Sequence, residues 1–166
     1  VGADLVELLR GVCSIEGDFF IRVGMMTPNY VLGMLSDLIG AYKNDHVFKF
    51  LHLPVQSGDD QVLQRMRRFY TASDFKKIVH AFREKIPDIA VATDVICGFP
   101  GETEDAFLRT ERLIEEVKPD VVNVSRFFPR PRTPAERMEP RVSAEEVKKR
   151  SKRMADLVRR IALEKN

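Results

Sequence analysis

Four times along this chain a short apolar run, rich in β-branched residues, gives way to a segment with helical spacing. No other feature of the sequence restricts the fold as much. The runs lie at residues 19–26, 47–55, 89–102 (with an exit loop) and 121–128. The first is preceded by a helical stretch, residues 4–12, with Leu5, Val6, Leu8, Leu9 and Val12 in register. Helical faces follow the runs: Tyr30, Val31, Met34, Leu35, Leu38 and Ile39; then Val62, Leu63 and Met66, then Phe75, Ile78, Val79 and Phe82; and Phe107, Leu108, Leu113 and Ile114. Thr27-Pro28, Thr71 with Asp74, and Thr103 supply start signals, and Pro87 a stop. Strands apolar over most of their length that alternate with helices point to an α/β fold with a parallel sheet covered by helices. Right-handed crossovers then leave a doubly wound sheet or a barrel segment.

In both architectures ligands gather at the C-terminal ends of the strands. The polar and Gly-rich signals fall at those ends: residues 26–28, 56–58, 97–102 and 129–132. A common mouth on one face is the economical reading. At 166 residues, 44% hydrophobic and 31% charged, the chain is one soluble globular domain or a piece of one. It starts at Val1 without Met and reads as an excised segment. No apolar run approaches a membrane span and no signal-peptide pattern opens the chain. The two cysteines, Cys13 and Cys97, form no CxxC or CxxxCxxC spacing, which favours a reducing cytoplasm and lacks the ligand count for a metal or cluster site. Ser-His-Asp, P-loop and HExxH patterns are also missing.

The net charge of +2 leaves any nucleic-acid footprint to charge distribution. After the fourth run, Pro129, Pro131, Pro134 and Pro140 stiffen the chain. Ser143-Ala144-Glu145-Glu146 then starts a long helix. From Arg141 onward nine Lys/Arg stand against four acids.

Asp94 lies inside an apolar strand, where an unpaired charge is costly. It either caps a loop or pairs with an arginine, or it accepts hydrogen bonds from ligand hydroxyls as strand-end acids do with ribose. Gln56 sits at the mouth of the preceding run, where helix capping fits it poorly and a ligand contact fits it well. Ser57 suits a helix cap. Arg68, at the end of the next helix, reads as a surface arginine or as a contact to a carboxylate. His52 reads as a satisfied core residue and Cys97 as a small buried hydrophobe.

Four blocks then become recognisable: residues 51–58 (LHLPVQSG), Met66-Arg67-Arg68-x-Tyr70, residues 92–103 (ATDVICGFPGET), and Phe128-Pro129-Arg130-Pro131-x-Thr133-Pro134-Ala135. Together, in this order and spacing, they resemble the radical S-adenosylmethionine methylthiotransferases over essentially the whole chain. Arg22-Val23-Gly24-Met25-Met26 and the Ala-Thr-Asp-Val-Ile-Cys-Gly form look most like the archaeal and eukaryotic branch, which methylthiolates C2 of threonylcarbamoyladenosine next to the tRNA anticodon.

The resemblance implies the C-terminal portion, about four βα units, of a partial (β/α)6 barrel in residues 1–140. A basic helix, residues 141–166, leads out of it. It implies S-adenosylmethionine as cofactor, contacted by Gln56 and Asp94 at the ribose, Arg68 at the methionine carboxylate, Ile96 and Gly98 at the adenine, and Phe128 as a wall. It also implies [4Fe-4S] clusters whose cysteines lie outside this chain, so that no metal ligand or catalytic residue is expected within it and the segment alone is expected to be inactive. Expected partners are tRNA, met by Arg130 and Arg132, and a reductant such as ferredoxin or flavodoxin, with no membrane. Self-association through the barrel edge at residues 19–26 is expected as well.

Two alternatives stand beside this reading. One is another radical S-adenosylmethionine enzyme, such as a ribosomal-protein methylthiotransferase or a relative of coproporphyrinogen oxidase. The other is a non-catalytic barrel piece used for RNA or partner binding.

Overall fold

The computed structural model describes residues 4–165; residues 1–3 and 166, the ends of the two segments expected above, lie outside the described residues. The helices start where local chemistry can satisfy their free N–H groups. Asp4 caps α1 (Leu5–Cys13), its carboxylate accepting the Glu7 N–H at 2.9 Å. Thr71 and Asp74 form the reciprocal capping box of α5 (Ala72–Lys85). The Thr103 hydroxyl accepts from Ala106 N–H and starts α6 (Glu104–Val117). The helix expected after Thr27 is two helices, α2 (Pro28–Gly33) and α3 (Leu35–Tyr42), separated at Met34, where φ is −127°. Tyr30 is exposed rather than part of the apolar face. Helix α4 (Asp60–Arg65) is capped by Asp59, not Ser57: the Asp59 carboxylate accepts from Val62 N–H and holds Arg109 at 2.6 Å.

Strands β1 (Phe50–His52), β2 (Ala90–Cys97) and β3 (Val121–Arg126) form a parallel sheet in the order β1-β2-β3. The strands add in chain order without reversal, so right-handed crossovers place successive helices on one face, as in a barrel wall. Leu51, Val91, Val95 and Cys97 point into that helical layer and meet Phe75, Ile78, Phe82, Phe107, Ile114 and Met154, all fully or nearly fully buried. On the other face lie the half-buried His52, Asp94 and Ile96 and the exposed Asn123 and Ser125.

Of the four expected strands, residues 19–26 form none, and residues 47–55 and 121–128 form strands shorter than the apolar runs. Residues 19–26 stay extended beside residues 46–52, where their backbone pairs at an Ile21–Val47 bridge and through a Met26 N–H to His52 C=O bond of 3.0 Å. No regular ladder forms between those two points. The second run pairs regularly only over β1 because Pro54 has no N–H to donate. There the buried Thr93 hydroxyl takes over, accepting from Val55 N–H at 3.0 Å and donating to Leu53 C=O at 2.8 Å.

Helix α7 (Ala144–Lys165) packs back along α6 and β3. Its inward basic side chains meet the acids of the preceding unit: Arg150 with Glu102, Arg153 with Glu104 and Glu111, Arg160 with Glu115, and Lys165 with Asp120. Much of the helix's positive charge is therefore neutralised within the fold.

Gly98 lies beneath α7, with φ +83°, and a Cβ there would overlap the Val147 side chain. Gly98→Ala is expected to destabilise the fold by about 1–3 kcal/mol through strain and overpacking. An unchanged urea midpoint would show that α7 yields instead.

Candidate functional site

At the C-terminal ends of β2 and β3 the uncovered face opens into a cavity of about 760 Å³. Gln56, Asp94, Ile96, Phe99, Phe128 and Arg130 are among its lining residues. The common mouth expected from the polar signals is thus present, and it gathers four of the six expected cofactor contacts.

The backbone places Gln56 in an unusual way. Its N–H donates to Asp94 C=O at 2.8 Å and its C=O accepts from Ile96 N–H at 2.9 Å, which pins it to β2. It is held at φ +68°, a left-handed conformation that costs a non-glycine residue roughly 1–2 kcal/mol. Ordinary turn chemistry would put Gly or Asn there. The buried side chain that lines the cavity gives a reason for glutamine instead.

Asp94 is paired, but not with an arginine. Both carboxylate oxygens lie 3.2 Å from His52 Nε2, and Asn123 Nδ2 donates to Oδ1 at 2.6 Å. The carboxylate is about one-fifth exposed, so Oδ2, with only the shared His52 contact, can still accept from a ligand in the cavity. His52 is therefore satisfied, as expected, but it lies half-buried on the open face rather than in the core, and its partner is the candidate ligand-binding acid itself. Sequence reasoning named neither this pairing nor Asn123. The available signal was that both occupy alternate positions on the Asp94 face of neighbouring strands.

Arg68 and Gly98 stand apart from the cavity. Arg68 follows α4, beside Tyr70, whose hydroxyl donates to Pro54 and Val55 C=O just ahead of Gln56. The Arg68 Nε is buried and has no hydrogen-bond partner among the described residues. A buried guanidinium N–H without an acceptor is costly, and an anionic ligand group reaching it would relieve that cost. Gly98 instead turns its N–H to the Glu102 carboxylate at 2.8 Å, beneath Val147. Ile96 remains the β2 residue that faces the cavity beyond Asp94.

Residues that the sequence reading left out hold the turn after β2. Glu102 is buried, and Arg150 Nη1 donates to both its C=O and its Oε2 at 2.9 Å. Burial pushes the Glu102 carboxyl up, against Arg150 and the Gly98 N–H, which favour the charged form. Arg65 donates to Pro100 C=O at 3.0 Å and to Glu139 C=O at 2.6 Å, tying the turn to the segment after β3. Burial also pushes the Cys97 thiol up to about 12, which leaves it protonated and inert. Among the described residues no group of three or more His, Cys, Asp or Glu side chains could hold a metal ion, and no helix is long and apolar enough to cross a membrane.

The chain matches the family model described as the radical SAM superfamily over residues 1–114. The chain belongs to that superfamily. It is 54% identical over 133 residues to a probable threonylcarbamoyladenosine tRNA methylthiotransferase of Pyrococcus horikoshii, a match covering 80% of this chain and 31% of that protein. It is 46% identical over 164 residues to a protein of the same description from Archaeoglobus fulgidus, covering 99% of this chain and 38% of that one. With the threonylcarbamoyladenosine tRNA methylthiotransferase of Drosophila melanogaster it shares 43% over 158 residues, 95% of this chain and 28% of the relative. The chain spans about a third of the length of these curated relatives.

Among solved structures, coproporphyrinogen III oxidase from Escherichia coli, described as a radical SAM enzyme, superposes with a TM-score of 0.72 at 21% identity. That match covers 95% of this chain and 36% of the oxidase. It shows the α/β partial-barrel fold that the alternation and the family resemblance led us to expect.

Proposed function

We propose that this chain is the S-adenosylmethionine-binding core of a tRNA methylthiotransferase that modifies C2 of threonylcarbamoyladenosine beside the anticodon. One observation carries the reading. Gln56, Asp94 and Ile96 converge on a single cavity at the strand C-termini of a radical SAM fold. The buried, unpartnered Nε of Arg68 fits the same cofactor, because it would supply the acceptor that this N–H lacks. S-adenosylmethionine, with iron–sulfur clusters held outside these residues and a low-potential reductant such as ferredoxin or flavodoxin, would supply the radical chemistry.

This chain's own residues bind and orient. His52 and Asn123 fix the Asp94 carboxylate, leaving Oδ2 to accept ribose hydroxyls. Gln56 offers its amide from a backbone pinned on both sides. Ile96 presents an apolar surface to the adenine, and Phe128 forms the outer wall. Arg130 at the rim faces the side from which a polyanionic substrate would arrive.

Mass spectrometry of tRNA nucleosides from a deletion strain tests the reading. Loss of methylthio-threonylcarbamoyladenosine, with the unmethylthiolated nucleoside accumulating, is the expected result. An unchanged nucleoside profile would sink the tRNA assignment and leave the ribosomal-protein and coproporphyrinogen-oxidase-like readings.

A further inference from the structure

The aromatic pair at the end of β3 divides two cavities. Phe127, Phe128 and Arg126 line both the main cavity and a second one of about 350 Å³, closed by Gly98, Pro100, Val142 and Val147 at the start of α7. Phe127 is committed to packing: its ring meets Phe99 edge-on at 5.0 Å. Phe128 is not. It is 80% exposed and makes no ring contact among the described residues, although a large aromatic side chain normally finds apolar cover.

Charge surrounds this ring. Residues 126–141 contain five arginines and two glutamates. Glu136 is held by the Arg132 N–H, and Glu139 by Arg141. The guanidinium groups of Arg130 and Arg132 have no hydrogen-bond or ion-pair partner among the described residues, whereas Arg126 is held by Ser151.

We propose that the second cavity is a stacking subsite for the nucleotide that neighbours the modified adenosine, with its base against Phe128 and its phosphates met by Arg130 and Arg132. This rests on the RNA reading above and extends it. The elements of single-strand recognition are present: an exposed aromatic platform, an apolar slot on one side of it, and the unpaired Arg130 in the main cavity on the other. The slot's size is in the range of ordinary ligand pockets. The shared aromatic wall would let two consecutive bases of one strand splay apart, one on each side of the Phe127–Phe128 pair. An apolar peptide would fill the slot equally well but would leave Arg130 and Arg132 unpaired. A polyanionic strand satisfies both features at once.

The experiment is direct binding of the intact protein to a short single-stranded RNA containing the target adenosine, and to the same strand with an abasic site beside it. Phe128 is exposed, so Phe128→Ala should leave the melting temperature in place while weakening RNA binding roughly ten- to a hundredfold. Phe128→Trp should retain binding. Val142→Trp, which fills the slot, should weaken the intact strand and not the abasic one. Equal affinity of the parent protein for the two strands, or Phe128→Ala within twofold of the parent, would overturn the subsite. If Arg130→Glu with Arg132→Glu still weakens binding in that case, the RNA reading survives without it. A parent protein that binds neither strand would remove both.

Discussion

Asp94→Ala in the intact protein is expected to lose S-adenosylmethionine affinity by roughly tenfold to a hundredfold, the worth of hydrogen bonds to a charged group. Fold and cluster content should stay in place. The substitution removes the acceptor proposed for ligand hydroxyls and also leaves His52 Nε2 and Asn123 Nδ2 without their partner. Both lie at a partly exposed face that water can reach, so the stability loss should be small. Titration calorimetry with the parent, Asp94→Ala and Asn123→Ala separates the roles. Asn123 only orients the carboxylate, so its removal should cost less than the removal of Asp94. If Asp94→Ala binds within twofold of the parent, the carboxylate is a structural partner of His52 and nothing more.

Arg150→Met is expected to produce the largest stability loss. The Arg150 and Glu102 side chains are 6% and 1% exposed. Removing the guanidinium leaves a carboxylate in the core with only the Gly98 N–H at 2.8 Å to satisfy it. Breaking such a pair from one side costs about 3–5 kcal/mol, or roughly 10 °C in melting temperature for a domain of this size. Glu102→Gln with Arg150→Met should recover much of the loss, since the neutral amide can still accept from Gly98. A single-variant loss below about 1 kcal/mol would show that water or protonation of Glu102 takes the place of the pair. The contact also holds α7 on the turn that follows β2. Loosening it should therefore disturb the second cavity, whose wall includes Gly98 and Val147.

Local chemistry was legible in the sequence. The Thr71–Asp74 capping box, the Thr103 cap and the apolar faces of α5 and α6 involve residues within a turn or two of each other. The strand-end positions of Gln56 and Asp94 follow from the same short-range periodicity. Where a local signal had a local competitor, it misled. Ser57 has the chemistry of a cap, but Asp59 two residues on offers the better acceptor, with Arg109 to balance it. Met34 fits the apolar face of one continuous helix, but the backbone departs from helical geometry there.

By itself, then, the sequence determined the βα alternation, the family resemblance and the strand-end position of the candidate site residues. Each of these is written in spacing or in contiguous motifs. Only the tertiary structure decided what the site residues touch. It brought His52 and Asn123 to Asp94 from 42 and 29 residues away, turned Gln56 into a left-handed backbone, and left Arg68 Nε buried without a partner among the described residues. It also folded the basic helix back so that Arg150 reaches Glu102 across 48 residues, while the Arg130 and Arg132 guanidinium groups find no partner among the described residues. Periodicity specifies which face a residue occupies, but not which distant side chain arrives opposite it. That depends on the crossovers and on packing between elements far apart in the chain.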